Sequence, residues 1–169
     1  NDDQWPYQIT VENTSVPGYV SFEDGKVPED IVFTYNISFA ADASNYSGGT
    51  VRIDQGKLAR AFVLQPGQIT SAMGDRIGFY AVEPGNNLNS RTTANGYGHW
   101  FDADGRVIAW GNDAKVFSEW DASSFMFTIG QYPGHVAKGD TFTIKQAMVY
   151  EFSAGQTVQA TFIFYISIT

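Results

Sequence analysis

Apolar and polar residues alternate along much of the chain, and this pattern predicts β-strands. At positions 31–39, IVFTYNISF, four apolar or aromatic side chains fall on one face of an extended segment: Phe33, Tyr35, Ile37 and Phe39. A side-chain period of two is typical of a strand with one buried face. The C-terminal segment at 158–168 repeats the pattern, with its apolar face at Val158, Phe162, Phe164, Ile166 and Ile168. Both segments are therefore predicted to face a hydrophobic core.

Shorter segments of the same character occur throughout the chain. They lie at 8–11, 76–82, 99–101, 106–110, 115–120, 125–129 and 141–150. Clusters of Gly, Asn, Asp and Pro separate them, as expected of turns. Many short strands joined by turns predict a mostly β fold, a β-sandwich of antiparallel strands that is jelly-roll-like or immunoglobulin-like. We expect one domain over residues 1–169, with 1–30 as a lead-in strand region and 31–169 as the core.

Residues around 56–74 depart from the strand pattern and predict a short helical insert. The two predicted helices lie at 56–62 and 66–74. Ile69 and Met73 are four residues apart and so share one helix face. Gly74 is suited to a left-handed helix end.

Aromatic residues flank a turn in the stretch GYGHWFDADGRVIAWG at 96–111. Its Asp-Ala-Asp-Gly sequence has the chemistry of a type I turn followed by a left-handed glycine, which closes a tight hairpin. In that register Trp100 lies opposite Ile108, and Trp110 falls on the same side. Phe101, Val107, His99 and Ala109 share the opposite side. Both faces are largely apolar, so one face is predicted to line the core and the other to be covered or left as an exposed aromatic platform.

An exposed platform would predict a carbohydrate-binding surface, because a flat indole ring stacks on the apolar C–H face of a sugar ring. The candidate stacking residues are Trp100, Trp110 and Tyr97, and the candidate polar contacts are Asn95, Arg91, Asp102 and His99. Trp120, Tyr132 and His135 are further candidates. The alternative is that the tryptophans belong to the core, which would make the chain a structural or protein-interaction domain. The Asn- and Gly-rich segment at 83–98 is interpreted as a long loop, and long ordered loops often carry function.

The overall composition narrows the classes of partner. The chain has 169 residues, no cysteine and a formal net charge of -8, and 15% of its residues are aromatic. A negative chain repels phosphate backbones, which argues against nucleic-acid binding. Without cysteine there is no disulfide, cysteine nucleophile or thiolate metal site. The high aromatic content fits both packed β-structure and a surface that binds flat ligands.

No cofactor or metal is predicted. The sequence Asp102-x-Asp104-Gly105 resembles the start of a calcium loop, but the further oxygen ligands are not at the required spacing. A plain hairpin turn is therefore favoured, and a structural calcium elsewhere stays open. His99 and His135 are too few for a three-histidine zinc site. The run at 47–50, Ser-Gly-Gly-Thr, lacks the lysine and the spacing of a phosphate-binding loop and is interpreted as a β-turn.

An enzyme is the weakest of the three alternatives. Glycoside hydrolysis would need two carboxylates facing each other across a cleft. The candidate carboxylates are Asp102, Asp104, Asp113, Glu119 and Asp121. For Glu119, beside Trp120, an outward-facing strand position is favoured. No catalytic residue is predicted.

Three runs resemble a bacterial domain family of unknown function. They are GHWFDADGRVIAWG at 98–111, IGQYPGH at 129–135 and DTFTIKQAMVY at 140–150. The resemblance covers about Ile31 to Thr169. The family it resembles is found in secreted and surface proteins of Bacteroidetes, often in glycan-utilisation settings, and has no established catalytic residues.

The resemblance implies export, a place outside the cell or on the outer-membrane surface, and a glycan context. Together with the candidate platform, that context predicts a polysaccharide or oligosaccharide as partner. Neighbouring domains or surface proteins are the partners expected if the chain is instead a structural or protein-interaction domain. The polar start Asn1-Asp2-Asp3-Gln4 is typical of a mature chain. A signal peptide or the lipid-anchor cysteine of a lipoprotein would lie upstream, and such an anchor would be the route to a membrane.

Overall fold

The computed structural model describes residues 9–11, 20–22, 26–73, 75–91 and 97–169. These residues form twelve strands and two short helices. The strands are β1 (Ile9–Val11), β2 (Val20–Phe22), β3 (Ile31–Phe39), β4 (Gly48–Arg52), β5 (Ile77–Glu83), β6 (Asn87–Asn89), β7 (Tyr97–Phe101), β8 (Val107–Ile108), β9 (Val116–Asp121), β10 (Met126–Gln131), β11 (Thr141–Ser153) and β12 (Gln156–Ile168). The helices, α1 (Gln55–Phe62) and α2 (Pro66–Ala72), follow β4.

Two five-stranded sheets and a two-stranded ribbon carry these strands. The first sheet has the order β4-β10-β9-β7-β8, and we call it the hairpin sheet. The second has the order β3-β12-β11-β5-β6, and we call it the long-strand sheet. Strands β1 and β2 pair antiparallel with each other. The mostly β, sandwich-like fold predicted from the sequence is confirmed.

The long-strand sheet is mixed rather than purely antiparallel. Phe33 of β3 stacks on Phe162 of β12, and two residues further along both strands Tyr35 stacks on Phe164. Because these contacts advance together along the two strands, β3 and β12 run in the same direction. Because β3 and β12 are far apart in sequence, no short hairpin loop joins them and forces them to be antiparallel.

The chain divides into two compact units. The larger unit comprises residues 32–53, 79–147 and 161–169, and Phe127 of β10 lies at the centre of its core. The fully buried Phe127 ring contacts Trp120, Phe162 and Phe164, at centroid distances of 4.8, 5.2 and 5.0 Å. Side chains from both sheets therefore fill this core, as in a sandwich.

The smaller unit comprises the described residues within 1–31, 54–78 and 148–160 and contains both helices. Asp54 caps α1, because its carboxylate accepts a hydrogen bond from the backbone N–H of Lys57 at 3.0 Å. The last residue of α1, Phe62, is buried and packs on Tyr150 at 5.2 Å between ring centroids. Helix α2 buries Ile69.

Most predicted elements lie where the alternation placed them. The predicted strand at 31–39 matches β3, with Phe33 and Phe39 buried, and the apolar face of the last predicted strand is buried along β12. Both helices of the insert are confirmed within a few residues of their predicted bounds. Helix α2 ends at Ala72, and Gly74 lies outside the described residues.

Three local predictions were wrong. The run Ser47-Gly48-Gly49-Thr50 is not a turn, because Gly48–Arg52 is strand β4. A Cβ on Gly48 would collide with the carbonyl oxygen of Ile129, so this glycine permits close strand approach. The strand predicted at 106–110 is shorter than expected, since β8 has only two residues. The segment predicted as a loop at 83–98 contains β6 and the start of β7.

Candidate functional site

The hairpin of β7 and β8 has the register predicted from its turn. Trp100 pairs with Ile108 and Phe101 with Val107. Gly105 has a φ of 80°, which is the left-handed conformation that the turn requires. The Asp102 carboxylate accepts the backbone N–H groups of Asp104 at 2.9 Å and Arg106 at 3.0 Å. Asp102 is therefore committed to the turn itself.

The two faces of β7 are both buried, in different surroundings. His99 and Phe101 are fully buried on the inner face of the hairpin sheet. Trp100 points the other way and packs on Phe117 of β9, with ring centroids 4.9 Å apart. A Cβ on Gly130 would lie 2.6 Å from two atoms of the Phe117 ring, so the absence of a side chain there leaves room for this outer cluster.

Trp100 and Phe117 support a group of partly exposed rings that we call the aromatic platform. It consists of Tyr46, Trp110, Tyr132 and His135. Tyr132 lies at its centre, with ring centroids 5.3 Å from Trp100 and 6.0 Å from Tyr46. Trp110 is 61% exposed and Tyr46 is 53% exposed, whereas Trp100 is only 6% exposed. Trp110 thus belongs to an exposed aromatic group, whereas Trp100, predicted as a stacking residue, is buried beneath that group.

Three rings of the platform form a stack. Tyr132 lies on His135 at 4.0 Å and 20°, and Trp110 lies on Tyr132 at 5.6 Å and 23°. The Nδ1 atom of His135 is 3.0 Å from the Ala114 carbonyl oxygen, which can only accept, so this nitrogen carries the proton. One face of the Trp110 indole covers Tyr132. Given the exposure of Trp110, its other face is open to solvent.

A Pro-Gly turn positions Tyr132 and His135. Gly134 has a φ of 76°, and the backbone N–H of His135 donates to the Tyr132 carbonyl at 3.0 Å. Pro133 followed by a left-handed glycine is the chemistry of a type II turn. The Lys115 ammonium donates to the His135 carbonyl at 3.1 Å and ties this turn to the segment that follows Trp110.

Buried Gln131 positions Tyr46. Its Oε1 accepts the Asp42 backbone N–H at 3.0 Å, and its Nε2 donates to the carbonyls of Asp42 and Asn45, both at 2.7 Å. The Asp42 carboxylate in turn accepts the backbone N–H groups of Ser44 and Asn45. These hydrogen bonds hold the pKa of Asp42 below its usual value, with the Ser44 N–H as the largest cause. The side chains of Gln131 and Asp42 therefore fix the backbone of the loop that leads to Tyr46.

His99 belongs to a buried polar network rather than to the platform. Its Nδ1 lies 3.2 Å from Gln146 Oε1, which also accepts the Ser118 hydroxyl, and Gln146 Nε2 donates to the Tyr80 carbonyl at 2.8 Å. His99 Nε2 has no partner among the described residues. Burial lowers the pKa of His99, against the opposing effects of the Gln146 hydrogen bond and the Glu83 carboxylate.

The structure thus brings four of the ten predicted ligand-binding residues together, Trp100, Trp110, Tyr132 and His135. Trp120 is 6% exposed and packs on Phe125 and Phe127, so it belongs to the core. Tyr97 is exposed but contacts Phe79, on the face of β7 opposite to Trp100. Arg91 is exposed, and its backbone N–H donates to Asn89. Asn95 lies outside the described residues.

Two residues of this site were missed from the sequence. Tyr46 lies 64 positions from Trp110, whose Nε1 donates to its hydroxyl at 3.4 Å. Gln131 lies 89 positions from Asp42. Local periodicity carries no signal over such separations. The one usable hint is the polar run Asp-Ala-Ser-Asn before Tyr46, because Asp two residues before Ser predicts a hydrogen-bonded turn.

Other chemistry is limited in the part of the chain that the structure describes. That part contains no group of three or more His, Asp or Glu side chains able to hold a metal ion. Asp121 accepts hydrogen bonds from Ser123 and Ser124, which lower its pKa and so oppose a role as a general acid. Both helices within the described ranges fall short of the length and apolar character that a membrane crossing requires.

The chain is therefore a mostly β protein with a sandwich-like fold, and its loops hold partly exposed aromatic rings. Residues 45–156 match the family described as Domain of unknown function (DUF4859), and the chain belongs to this family. The match begins one residue before Tyr46 and includes all four platform residues. It is narrower than the 31–169 expected from the resemblance. No curated protein matches the chain, and no solved structure does.

Proposed function

We propose that the chain is a non-catalytic carbohydrate-binding domain and that the aromatic platform is its binding surface. The observation that carries the proposal is the open face of Trp110 at the end of the stack on Tyr132 and His135. A sugar ring placed on that face would add a fourth layer. The stack already fixes the indole, so little conformational entropy would be lost on binding.

The chemistry of the exposed rings fits a sugar. The face of an aromatic ring is electron-rich, whereas the C–H groups on one face of a pyranose are weakly positive. Both exposed platform residues also have a polar atom, the indole N–H of Trp110 and the hydroxyl of Tyr46. Polar side chains flank these residues in the chain: Ser44, Asn45, Asn112 and Asp113. Such groups can bond the hydroxyls at the edge of a sugar.

The size of the platform argues for a small ligand over a protein partner. An aromatic side chain offers about 150–250 Å², so the exposed parts of Trp110 and Tyr46 amount to at most about 300 Å². A stable protein interface buries about 800 Å² on each partner. One or two sugar rings match the smaller area.

A place outside the cell is part of the proposal, as is a bacterial glycan-utilisation context. A polysaccharide that originates outside the cell is too large and too polar to cross a bilayer, so a domain that captures such a polymer would act outside. An upstream signal or lipid anchor would deliver the domain there.

The proposal is tested by affinity electrophoresis and calorimetry against soluble glucans, xylans, mannans and chitin oligosaccharides. The parent should bind at least one of them. Trp110→Ala should bind it at least about fivefold more weakly, since loss of one aromatic stacking partner costs about 1–3 kcal/mol where flat rings are bound. Tyr165→Ala is the matched control, because Tyr165 is 42% exposed on β12, outside the platform.

A parent that binds no member of the panel would count against a carbohydrate function and turn attention to a structural or protein-interaction role. A Trp110→Ala variant that binds a glycan as tightly as the parent and the Tyr165→Ala control would show that the aromatic platform is not the binding surface.

A further inference from the structure

We infer that the platform binds a single polysaccharide chain or a free oligosaccharide, and not the flat face of a crystalline polysaccharide. This inference rests on the proposed function and concerns the physical form of the ligand. It follows from the angles between the exposed rings.

The two exposed rings of the platform are not coplanar. Trp110 makes an angle of 23° with Tyr132, and Tyr46 makes an angle of 52° with the same ring. The planes of Trp110 and Tyr46 must therefore differ by at least 29°, the difference between those two angles. Trp100 is buried beneath them and offers no further stacking face.

A crystalline face presents many sugar rings in one plane. Only coplanar aromatic rings can lie flat on such a face together. If Trp110 lay flat on it, Tyr46 would meet the surface by an edge or stand away from it. The contact would then be limited to a single indole ring.

A single chain imposes no common plane. Successive rings of a free chain are inclined to one another, and the chain can turn about its glycosidic bonds. One sugar can stack on Trp110 while the next reaches Tyr46 at a different inclination. The hydroxyl of Tyr46 and the edge groups of the sugar are then also available for hydrogen bonds.

Contacts behind the rings oppose a rearrangement into one plane. Trp110 Nε1 donates to the Tyr46 hydroxyl at 3.4 Å, and the Tyr46 ring centroid lies 6.2 Å from that of buried Trp100. The loop before Tyr46 is held by three hydrogen bonds with Gln131, which donates two of them and accepts one. Flattening the pair would have to break some of these contacts, so the inclination belongs to the resting state.

The test offers the same polymers in different physical forms. Microcrystalline cellulose is compared with acid-swollen cellulose and cello-oligosaccharides, and crystalline chitin with colloidal chitin and chitin oligosaccharides. Soluble xylans, mannans and glucans complete the set. We expect binding to soluble or amorphous material, with at least about threefold less protein retained per gram on the crystalline form of a polymer that binds.

Two variants test whether Tyr46 provides a second contact to the soluble chain. Tyr46→Ala should weaken binding to the soluble chain by about threefold or more, because the second inclined contact is lost. Tyr165→Ala should bind as the parent does.

The outcomes separate this inference from the proposed function. Binding to the crystalline form that equals or exceeds binding to the amorphous form would overturn the inference and leave the carbohydrate function standing. An unchanged affinity of Tyr46→Ala for the soluble chain would also overturn it. A parent that binds no material in any form would overturn both.

Discussion

Phe127 and Tyr132 lie five residues apart, one within β10 and one just beyond its end, and each is the centre of a cluster of aromatic rings. Phe127 has ring neighbours at centroid distances of 4.8 to 6.1 Å. Tyr132 has ring neighbours at 4.0 to 6.0 Å. The packing distances are similar, but the exposure differs. Phe127 is fully buried, whereas Tyr132 packs against Trp110, whose side chain is 61% exposed.

The difference between these clusters comes from topology rather than from residue type. Phe127 is on the inner face of the hairpin sheet and meets β12 of the long-strand sheet. Tyr132 follows the last residue of β10, where three loops converge and no strand of the other sheet is described against it. Aromatic content alone therefore does not distinguish a core from a binding surface. The distinction can be tested, because it predicts different effects of substitution on stability and on binding.

The largest effect is expected from Phe127→Ala. Removing a fully buried phenyl ring costs about 3–5 kcal/mol, from the lost transfer free energy and the cavity left behind. Urea unfolding followed by circular dichroism would measure the loss. Phe127→Leu is the control and should lose less, because most of the volume is kept. A loss below about 1 kcal/mol for Phe127→Ala would mean that the core is not centred on this ring.

A smaller loss is expected from Gln131→Ala. The substitution removes three hydrogen bonds and leaves the Asp42 and Asn45 carbonyls without their partner. An unsatisfied buried group costs about 1–3 kcal/mol, and hydrogen exchange should rise in the segment from Asp42 to Tyr46. Gln156→Ala, at an exposed position, should change neither quantity. Unchanged exchange in the Tyr46 loop would show that Gln131 does not position it.

A pH-dependent effect of similar or smaller size is expected from His99. Burial lowers the pKa of His99 in the folded state below its ordinary value of 6.5. The unfolded chain therefore binds a proton first as the pH falls, and folding stability should decline from about pH 6.5 down to the lowered folded pKa. The slope from one such group cannot exceed about 1.4 kcal/mol per pH unit.

The control for this prediction is His99→Gln, which keeps a polar side chain but has no titrating group. Stability of both proteins would be measured by urea unfolding at several pH values between 5 and 8. The parent should lose more stability on acidification than the variant does. Identical pH dependence in the two proteins would show that His99 contributes nothing to it.

The sequence predicted those features that depend on neighbours along the chain. The alternation at 31–39 predicted β3, and the Asp-Ala-Asp-Gly turn predicted the register that pairs Trp100 with Ile108. It did not predict the meeting of Tyr46 with Trp110, because the order β4-β10-β9-β7-β8 decides which loops converge. The turn predicted around Gly48 was wrong for a related reason. The glycine is needed there because Ile129, on another strand, leaves no room for a side chain. Local chemistry fixed the hairpin, and long-range topology fixed the platform.

The smallest effect on stability, with the largest expected effect on binding, belongs to Trp110→Ala. An exposed side chain outside the core usually changes stability by no more than about 0.5 kcal/mol, and the stack on Tyr132 adds at most about 0.5–1.5 kcal/mol. Trp110→Phe should keep a stacking ring and part of any affinity for sugar. Thermal unfolding of both variants would measure stability beside the binding assay. A Trp110→Ala variant as unstable as Phe127→Ala would mean that the indole is a structural member of the core, and its open face would then carry no argument for a ligand.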